Sequence, residues 1–275
     1  MDAPLELDRV EVEAVGGDPA GLAAAIHDQL PDLSGAVPVH AIARALDIEE
    51  IREESLTSFE ACLLTDPHKS RGAILVNRDS SVERRRYSIA HELGHFLNER
   101  HRPTADEGFR CSLDDLRESQ SIDRYRQQEA EANRFAIELL APAHLVRPHL
   151  GREPDLAQVL AMAQALILSR EAAARRYVAR QGTAIAIVFS RAGLIRYVEK
   201  SAGFPHLRIW AGCRLPELPK ARRSFFNITA QHETDPAAWL SAPRQSTLLC
   251  QTLYQAEGHA MTLLRLDQAG DRGDR

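Results

Sequence analysis

Residues 81–99 constrain the fold of this chain more than any other segment. They contain neither proline nor a cluster of turn residues, and their apolar side chains recur every three to four positions, at Ile89, Leu93 and Phe96. That spacing is typical of the buried face of a helix. We therefore predict one long, buried helix here.

The pentapeptide His91-Glu92-Leu93-Gly94-His95 lies inside this predicted helix and fits the H-E-x-x-H pattern of zinc peptidases. Residues four apart are separated by one helical turn, with Cβ atoms roughly 5–6 Å apart, so both imidazoles can bind one ion. Glu92 lies about 100° round the helix from His91, so we expect it to act as a general base beside the metal. Gly94 lowers helix propensity by about 1 kcal/mol, which suggests that another element packs closely against the helix there.

A third metal ligand is expected, because a catalytic zinc usually takes three protein groups and leaves one position for water. A second helix is predicted over about residues 122–140, and it contains Glu129-Ala130-Glu131-Ala132-Asn133. Glu129 is the candidate ligand, and Asn133, one turn further on, is the candidate hydrogen-bond partner of a ligand histidine. Glu131 lies about 200° round the helix from Glu129, so we assign it to a structural ion pair with an arginine. One zinc ion per chain is the expected cofactor, with another divalent metal such as Mn²⁺ as an alternative in cells.

The other elements of the N-terminal half are short. Asp18 followed by Pro19 is typical of a helix start, and we predict a helix over residues 18–30 and a second one beginning near Val39. Residues 61–64 and 72–77 are strand-like and flank a polar turn, so they predict a β-hairpin. Residues 101–121 are polar and interrupted by proline and glycine, which predicts a loop.

The C-terminal half changes character after Gly151. Residues 155–178 predict two helices, with Ser169 as the N-cap of the second. Residues 184–189 and 194–198 predict a hairpin, and further strands are expected near residues 246–254 and 259–266. The final residues, 267–275, are polar and glycine-rich, and we expect them to be disordered.

Composition limits the class of protein. A content of 44% hydrophobic and 27% charged residues allows a globular core, and the net charge of −5 argues against a protein that mainly grips phosphate backbones. The first residues are acidic and do not resemble a signal peptide, and no apolar stretch reaches the roughly 18–20 residues needed to span a bilayer. We therefore expect a soluble, cytoplasmic protein without membrane contact. The widely spaced cysteines predict buried thiols, not a disulfide framework.

Four stretches of the sequence together carry a family resemblance. They are Gly72-Ala73-Ile74-Leu75-Val76-Asn77, Arg84-Arg85-Arg86-Tyr87-Ser88-Ile89-Ala90 leading into His91-Glu92-Leu93-Gly94-His95-Phe96-Leu97, Glu129-Ala130-Glu131-Ala132-Asn133-Arg134-Phe135-Ala136, and Leu139-Leu140-Ala141-Pro142. With them, the chain resembles the ImmA/IrrE family of metallo-endopeptidases over roughly residues 38–180. One small departure is Ala141, which stands where these proteins often have Met.

The resemblance implies roles that agree with the spacing arguments: His91, His95 and Glu129 as zinc ligands, and Glu92 as the catalytic base. It also implies an α+β fold in which a zincin-like peptidase core, with an active-site helix, a small β-sheet and a second ligand helix, is followed by other segments. The expected divisions are an acidic leader (residues 1–17), the peptidase domain (18–150), a helix-turn-helix-like segment (151–181), a small mixed domain that is sensor-like or structural (182–266) and a disordered tail (267–275).

The resemblance further implies a regulatory protease that cuts a helix-turn-helix transcriptional repressor and so releases stress-response or mobile-element genes. The helix-turn-helix-like segment carries four arginines that fit either packing and docking or contact with DNA; we favour the first, because the chain as a whole is acidic. They are Arg170, Arg175, Arg176 and Arg180.

A different class of function stays open. In a non-catalytic regulator that binds a partner protein or DNA, the zinc would be structural and closed by a fourth protein ligand, for which Cys111 and His101 are candidates by proximity. For the enzyme, we expect the substrate peptide to add as a strand along Ile74-Leu75-Val76, if that strand is a sheet edge.

Overall fold

The computed structural model of the protein describes residues 5–30, 32–102, 109–110, 121–218, 227–242 and 247–267. These residues form helices and two β-sheets, which confirms the α+β class. The contacts among the described residues form two compact units. Unit 1 comprises those within Met1–Leu145 and Gln164–Ser169, and unit 2 comprises those within Val146–Ala163 and Arg170–Arg275.

The described elements follow one another from α1 to β9. The helices are α1 (Arg9–Glu13), α2 (Pro19–Asp28), α3 (Val39–Ala45), α4 (Val82–Leu97), α5 (Ser121–Leu140), α6 (Ala143–Val146), α7 (Leu156–Leu166), α8 (Arg170–Arg180) and α9 (Pro236–Trp239). The strands are β1 (Ile48–Glu54), β2 (Ala61–Thr65), β3 (Gly72–Asn77), β4 (Phe109–Arg110), β5 (Ile185–Arg191), β6 (Leu194–Lys200), β7 (His232–Thr234), β8 (Leu248–Tyr254) and β9 (His259–Leu266).

The sheet of unit 1 has the strand order β1-β3-β2-β4. The predicted hairpin is confirmed, since β2 pairs antiparallel with β3. Strand β1 lies parallel to β3 on its other side, so β3 is an inner strand with both edges paired. The expectation that a substrate peptide adds along Ile74-Leu75-Val76 is therefore wrong, because the backbone groups of that strand already bond to β1 and β2.

The turn between β2 and β3 is built around one carboxylate. Asp66 accepts hydrogen bonds from the backbone N–H groups of His68 (2.8 Å) and Ser70 (3.0 Å) and from the Ser70 hydroxyl (2.5 Å). The turn places Lys69 at φ +53°, with its side chain buried. Lys69 Nζ donates to the carbonyl oxygens of His95 (2.6 Å) and Asn98 (2.7 Å), so this turn satisfies carbonyl groups at the C-terminal end of α4.

Helices α2, α4 and α5 lie close to their predicted positions. Helix α4 begins after Ser81, whose hydroxyl accepts from the backbone N–H of Arg84 (3.3 Å), as expected of an N-cap. Helix α2 begins after Asp18, whose carboxylate accepts from the backbone N–H of Gly21 (2.9 Å). Helix α5 packs against both, and this three-helix arrangement positions the residues discussed below.

Strand β1 and helix α1 of unit 1 were not predicted from the sequence. Strand β1 has two apolar residues, Ile48 and Ile51, three positions apart among charged ones, and only Ile48 is buried, so the strand lacks the alternation by which strands are recognised. Helix α1 lies in the acidic leader; Val12 is fully buried, and the Arg9 guanidinium stacks over the ring of Phe96 at 4.4 Å. Both segments owe their structure to contacts with the rest of the unit.

Unit 2 contains an antiparallel sheet of order β6-β5-β9-β8-β7. The predicted hairpin is confirmed as β5–β6, which turns through Ala192 and Gly193, both at positive φ. The strands expected near residues 246–254 and 259–266 are confirmed as β8 and β9. One face of the sheet packs on Trp239, which is fully buried.

Helices α7 and α8 also lie where two helices were predicted. Arg176 on α8 is buried, and Arg175 packs over the ring of Tyr197 (4.7 Å) and pairs with Glu199 (3.6 Å). Arg170 donates to the side chain of Gln255 (3.3 Å). These contacts favour the packing interpretation of the arginines over contact with DNA.

Three other expectations concern loops and cysteines. Most of the loop predicted over residues 101–121 and all of the tail from residue 268 onward lie outside the described residues, and so does Cys111. Of the described cysteines, Cys62 and Cys250 are buried as expected and Cys213 is only half-buried; none of the three is in a disulfide.

Candidate metal and catalytic site

Helices α4 and α5 bring together His91, His95 and Glu129. The two histidine Nε2 atoms are 3.2 Å apart. Glu129 Oε2 lies 3.3 Å from His91 Nε2, and Glu129 Oε1 lies 3.2 Å from His95 Nε2. Among the described residues, this is the one group of histidine, cysteine and carboxylate side chains with the spacing of a metal site.

The donor separations fit a small divalent cation. Zinc binds imidazole nitrogen at about 2.0–2.1 Å in tetrahedral geometry, which corresponds to donor atoms about 3.3 Å apart. The three observed separations of 3.2–3.3 Å agree with that value. Two imidazoles and one carboxylate are also a donor set of catalytic zinc sites, in which the fourth position takes water. The residues present therefore fit a catalytic metal ion.

The close contact between α4 and α5 depends on Gly94. A Cβ atom at this position would lie 2.9 Å from Cδ1 and 3.2 Å from Cβ of Phe135 on α5. Real Cβ atoms essentially never approach another atom so closely, so glycine lets the Phe135 ring pack directly on the α4 backbone. The expectation that another element approaches the helix at Gly94 is confirmed, and that element is the helix that carries Glu129.

The charges of the three donor groups are strongly coupled. Burial acts to lower the pKa of His91, but its hydrogen bond to Glu129 and the charges of Glu92 and Glu129 outweigh burial and raise the pKa. Burial lowers the pKa of the fully buried His95 to about 3, so this ring is neutral and can offer a lone pair. Burial alone would raise the pKa of Glu129, but hydrogen bonds from His91 and His95 hold it well below its usual value. Glu129 and His95 are thus in the ionised and neutral forms that bind a metal, whereas His91 has to lose its proton for metal to bind.

Glu92 lies between the two histidines in sequence, and its side chain is fully buried on α4. Its charge is one of the causes that raise the pKa of His91. The role of Glu92 as a general base stays a prediction.

Asn133 lies one turn beyond Glu129 on α5. Its Oδ1 accepts a hydrogen bond from the Tyr87 hydroxyl (2.7 Å), and the Tyr87 ring stacks on the His91 ring at a centroid distance of 6.5 Å. Hydrogen bonding by the Asn133 side chain is also one of the causes that raise the pKa of His91. The partly exposed Tyr87 and the exposed Asn133 therefore both interact with His91.

His101 occupies a place that sequence reasoning missed. Its Nδ1 lies 3.0 Å from Nδ1 of His95, on the opposite edge of that ring from Nε2, and its Nε2 lies 3.0 Å from Oε2 of Glu131. Both ring nitrogens are engaged in this way, so His101 is not oriented as a fourth ligand. Glu131, expected to pair with an arginine, instead contacts a histidine. Burial acts to raise the pKa of Glu131, but hydrogen bonds from Gln127 and His101 lower it.

No sequence signal pointed to this contact. Helix α4 ends at Leu97, so His101 has no fixed angular relation to His95, and Glu131 lies 30 residues further along the chain. Residue spacing predicts contacts only inside a regular element.

The comparisons with known proteins bear on the family. Residues 45–177 match the Peptidase_M78 family, described as the IrrE N-terminal-like domain. No curated protein matches the chain. Among solved structures, the chain is similar to a Mycobacterium tuberculosis transcriptional regulator, at 14% sequence identity and a TM-score of 0.46, over 95% of this chain and 88% of that one. A similarity at this level carries no argument about function.

In the described part of the chain, no helix is both long and apolar enough to cross a membrane.

The matched range contains α4, α5 and all the donor residues described above. Residues 45–177 therefore form an IrrE N-terminal-like domain of the Peptidase M78 family, which confirms the resemblance to the ImmA/IrrE metallopeptidases.

Proposed function

We propose that this protein is a zinc-dependent endopeptidase with one zinc ion per chain, held by His91, His95 and Glu129. The observation that carries the proposal is the convergence of these three donor groups, 3.2–3.3 Å apart. The buried Glu92 follows His91 directly on α4. Membership of a peptidase family over this range supports peptide-bond hydrolysis as the reaction. Mn²⁺ is the alternative metal in cells.

In this mechanism, Glu92 acts as the general base and then as the general acid. When bound, zinc supplies a Lewis acid that polarises the scissile carbonyl and lowers the pKa of water to about 7. A carboxylate oxygen of Glu92 takes the proton from the attacking water and then donates it to the leaving amine. Asn133 supports the site by holding Tyr87 and His91 in place.

The proposed substrate is a helix-turn-helix transcriptional repressor, cut in a stress or mobile-element response. This part of the proposal rests on the ImmA/IrrE resemblance, because the geometry of a site does not identify the protein on which the site acts. Such an enzyme would meet its substrate in the cytoplasm.

The test is co-expression with a candidate repressor encoded beside this gene, followed by mass spectrometry of the repressor with and without a chelator. We expect one cut by the wild type, no cut with chelator, and a loss of about 10²–10⁴-fold in rate for Glu92→Gln, which should keep its zinc in elemental analysis. Glu99→Gln is the matched control, because Glu99 is exposed just beyond α4. Cleavage by Glu92→Gln at the wild-type rate would remove Glu92 from its assigned role.

A further inference from the structure

A chain of hydrogen bonds leads away from the proposed metal site through the far edge of His95. Nδ1 of His95 and Nδ1 of His101 are 3.0 Å apart, and Nε2 of His101 is 3.0 Å from Oε2 of Glu131. The Glu131 carboxylate also accepts from Gln127 Nε2 (2.8 Å) and Asn98 Nδ2 (3.2 Å). Both rings are buried, with His95 and His101 exposed by 0% and 1%, whereas Glu131 is partly exposed.

The segment that carries His101 is held firmly on both sides. The backbone N–H of His101 donates to the carbonyl of Asn98 (3.1 Å), and Asn98 Nδ2 also donates to the carbonyl of Gly17 (3.1 Å). The backbone N–H of Arg102 donates to the side chain of Gln128 on α5 (2.8 Å). The position of the His101 ring is therefore set by the fold and not by the ring's own contact with His95.

Hydrogen-bond chemistry allows a single arrangement of protons when His95 binds a metal. A metal at His95 Nε2 uses the lone pair of that nitrogen, so the neutral ring carries its proton on Nδ1 and donates it to Nδ1 of His101. His101 then accepts at Nδ1 and carries its own proton on Nε2, which it donates to the Glu131 carboxylate. Each hydrogen-bond donor thus has one acceptor, and the chain of hydrogen bonds ends on the Glu131 carboxylate.

We infer that His101 and Glu131 are positioning residues, which hold His95 in the tautomer and orientation that present Nε2 to the metal. The inference rests on the proposed metal site and adds two residues to it. A hydrogen bond that ends on a carboxylate also makes the ligand imidazole more basic, and loss of such an outer partner typically costs about 10–100-fold in metal affinity.

The experiment measures zinc affinity by competition with a chromophoric chelator, and thermal unfolding of the metal-free protein. The variants are His101→Phe, Glu131→Gln and the double variant, with Glu99→Gln as the exposed control. We expect His101→Phe to weaken zinc binding by about 10–100-fold and Glu131→Gln by about 10-fold. Glu99→Gln should leave the affinity unchanged.

The double variant separates a relay from a general effect of charge. If Glu131 acts through His101, adding Glu131→Gln to His101→Phe should change the zinc affinity by no more than about twofold, which is the usual uncertainty when the effects of two mutations are compared. A carboxylate that attracted the cation directly would have the same effect in both backgrounds. Glu131→Gln is nearly isosteric and partly exposed, so it keeps the test valid if His101→Phe fails to fold.

Four results would overturn the inference. The first two are wild-type zinc affinity in both single variants, and an equal effect of Glu131→Gln on zinc affinity in the wild-type and His101→Phe backgrounds. The other two are an equal loss of zinc affinity in the Glu99→Gln control, and a loss of zinc affinity matched by an equal loss of stability of the metal-free protein. A wild-type protein that takes up no zinc would instead refute the proposed metal site. The two failures are therefore distinguishable.

Discussion

Replacement of Gly94 by alanine tests whether the contact between α4 and α5 determines the geometry of the site. The new methyl group would lie 2.9 Å from Cδ1 and 3.2 Å from Cβ and Cγ of Phe135. Nonbonded carbon atoms prefer separations of about 3.5–4.0 Å, so Phe135 and α4 would have to move apart by a few tenths of an ångström. Phe135 is 1% exposed, and its Cβ moves only with the backbone of α5.

Two effects of known size compete in this variant. Alanine in place of glycine stabilises a helix interior by about 1 kcal/mol. Overpacking of a buried contact costs about 1–3 kcal/mol, so we expect Gly94→Ala to destabilise the metal-free protein by up to about 2 kcal/mol. Because α5 carries Glu129, displacement of that helix should also weaken zinc binding.

Urea unfolding of the metal-free protein measures the first effect, and chelator competition measures the second. The matched background is Phe135→Ala, which removes Cγ and Cδ1, two of the three atoms nearest to the added methyl. In that background Gly94→Ala should become neutral or stabilising by up to about 1 kcal/mol, which gives a coupling of about 1–3 kcal/mol between the two positions. If Gly94→Ala stabilises the protein equally in the wild-type background and in the Phe135→Ala background, the close-contact argument is refuted.

Two further predictions concern metal removal and pH. Zinc at about 1,000 times its Kd should stabilise the wild type by about 4.1 kcal/mol, so EDTA should lower the Tm of the wild type. The His91→Ala variant should hold no zinc in elemental analysis, and EDTA should leave its Tm unchanged. An equal Tm shift with EDTA in both proteins would contradict the ligand assignment. Hydrogen bonds from the Ser70 hydroxyl and from backbone N–H groups lower the pKa of Asp66 from 3.8 to about 2, so its ionised form stabilises the fold above about pH 4 and that contribution is lost as pH falls through 2. The Tm difference between the wild type and Asp66→Asn should therefore shrink between about pH 5 and pH 2, and a constant difference would argue against a role for the carboxylate charge.

Local sequence was sufficient to predict the elements that have clear capping or turn residues or a regular spacing of apolar side chains. The start of α2 at Asp18 and Pro19, the long helix around His91 and His95, and the β2–β3 and β5–β6 hairpins all follow from capping, periodicity and turn chemistry. The spacing of the two histidines also placed both imidazoles on one face of α4, because four residues make about one turn.

Tertiary structure decided what lies beside these elements. Strand β1 forms from a charged segment because β3 offers it an unpaired edge, and the same pairing makes β3 an inner strand. The contact of Glu129 with the two histidines depends on the packing of Phe135 against Gly94, and the contact of His101 with His95 and Glu131 depends on a turn after α4 that is held by residues far away in sequence. Periodicity reports the direction of a side chain within one helix or strand, whereas the distance between two elements is set by how all of their side chains pack together.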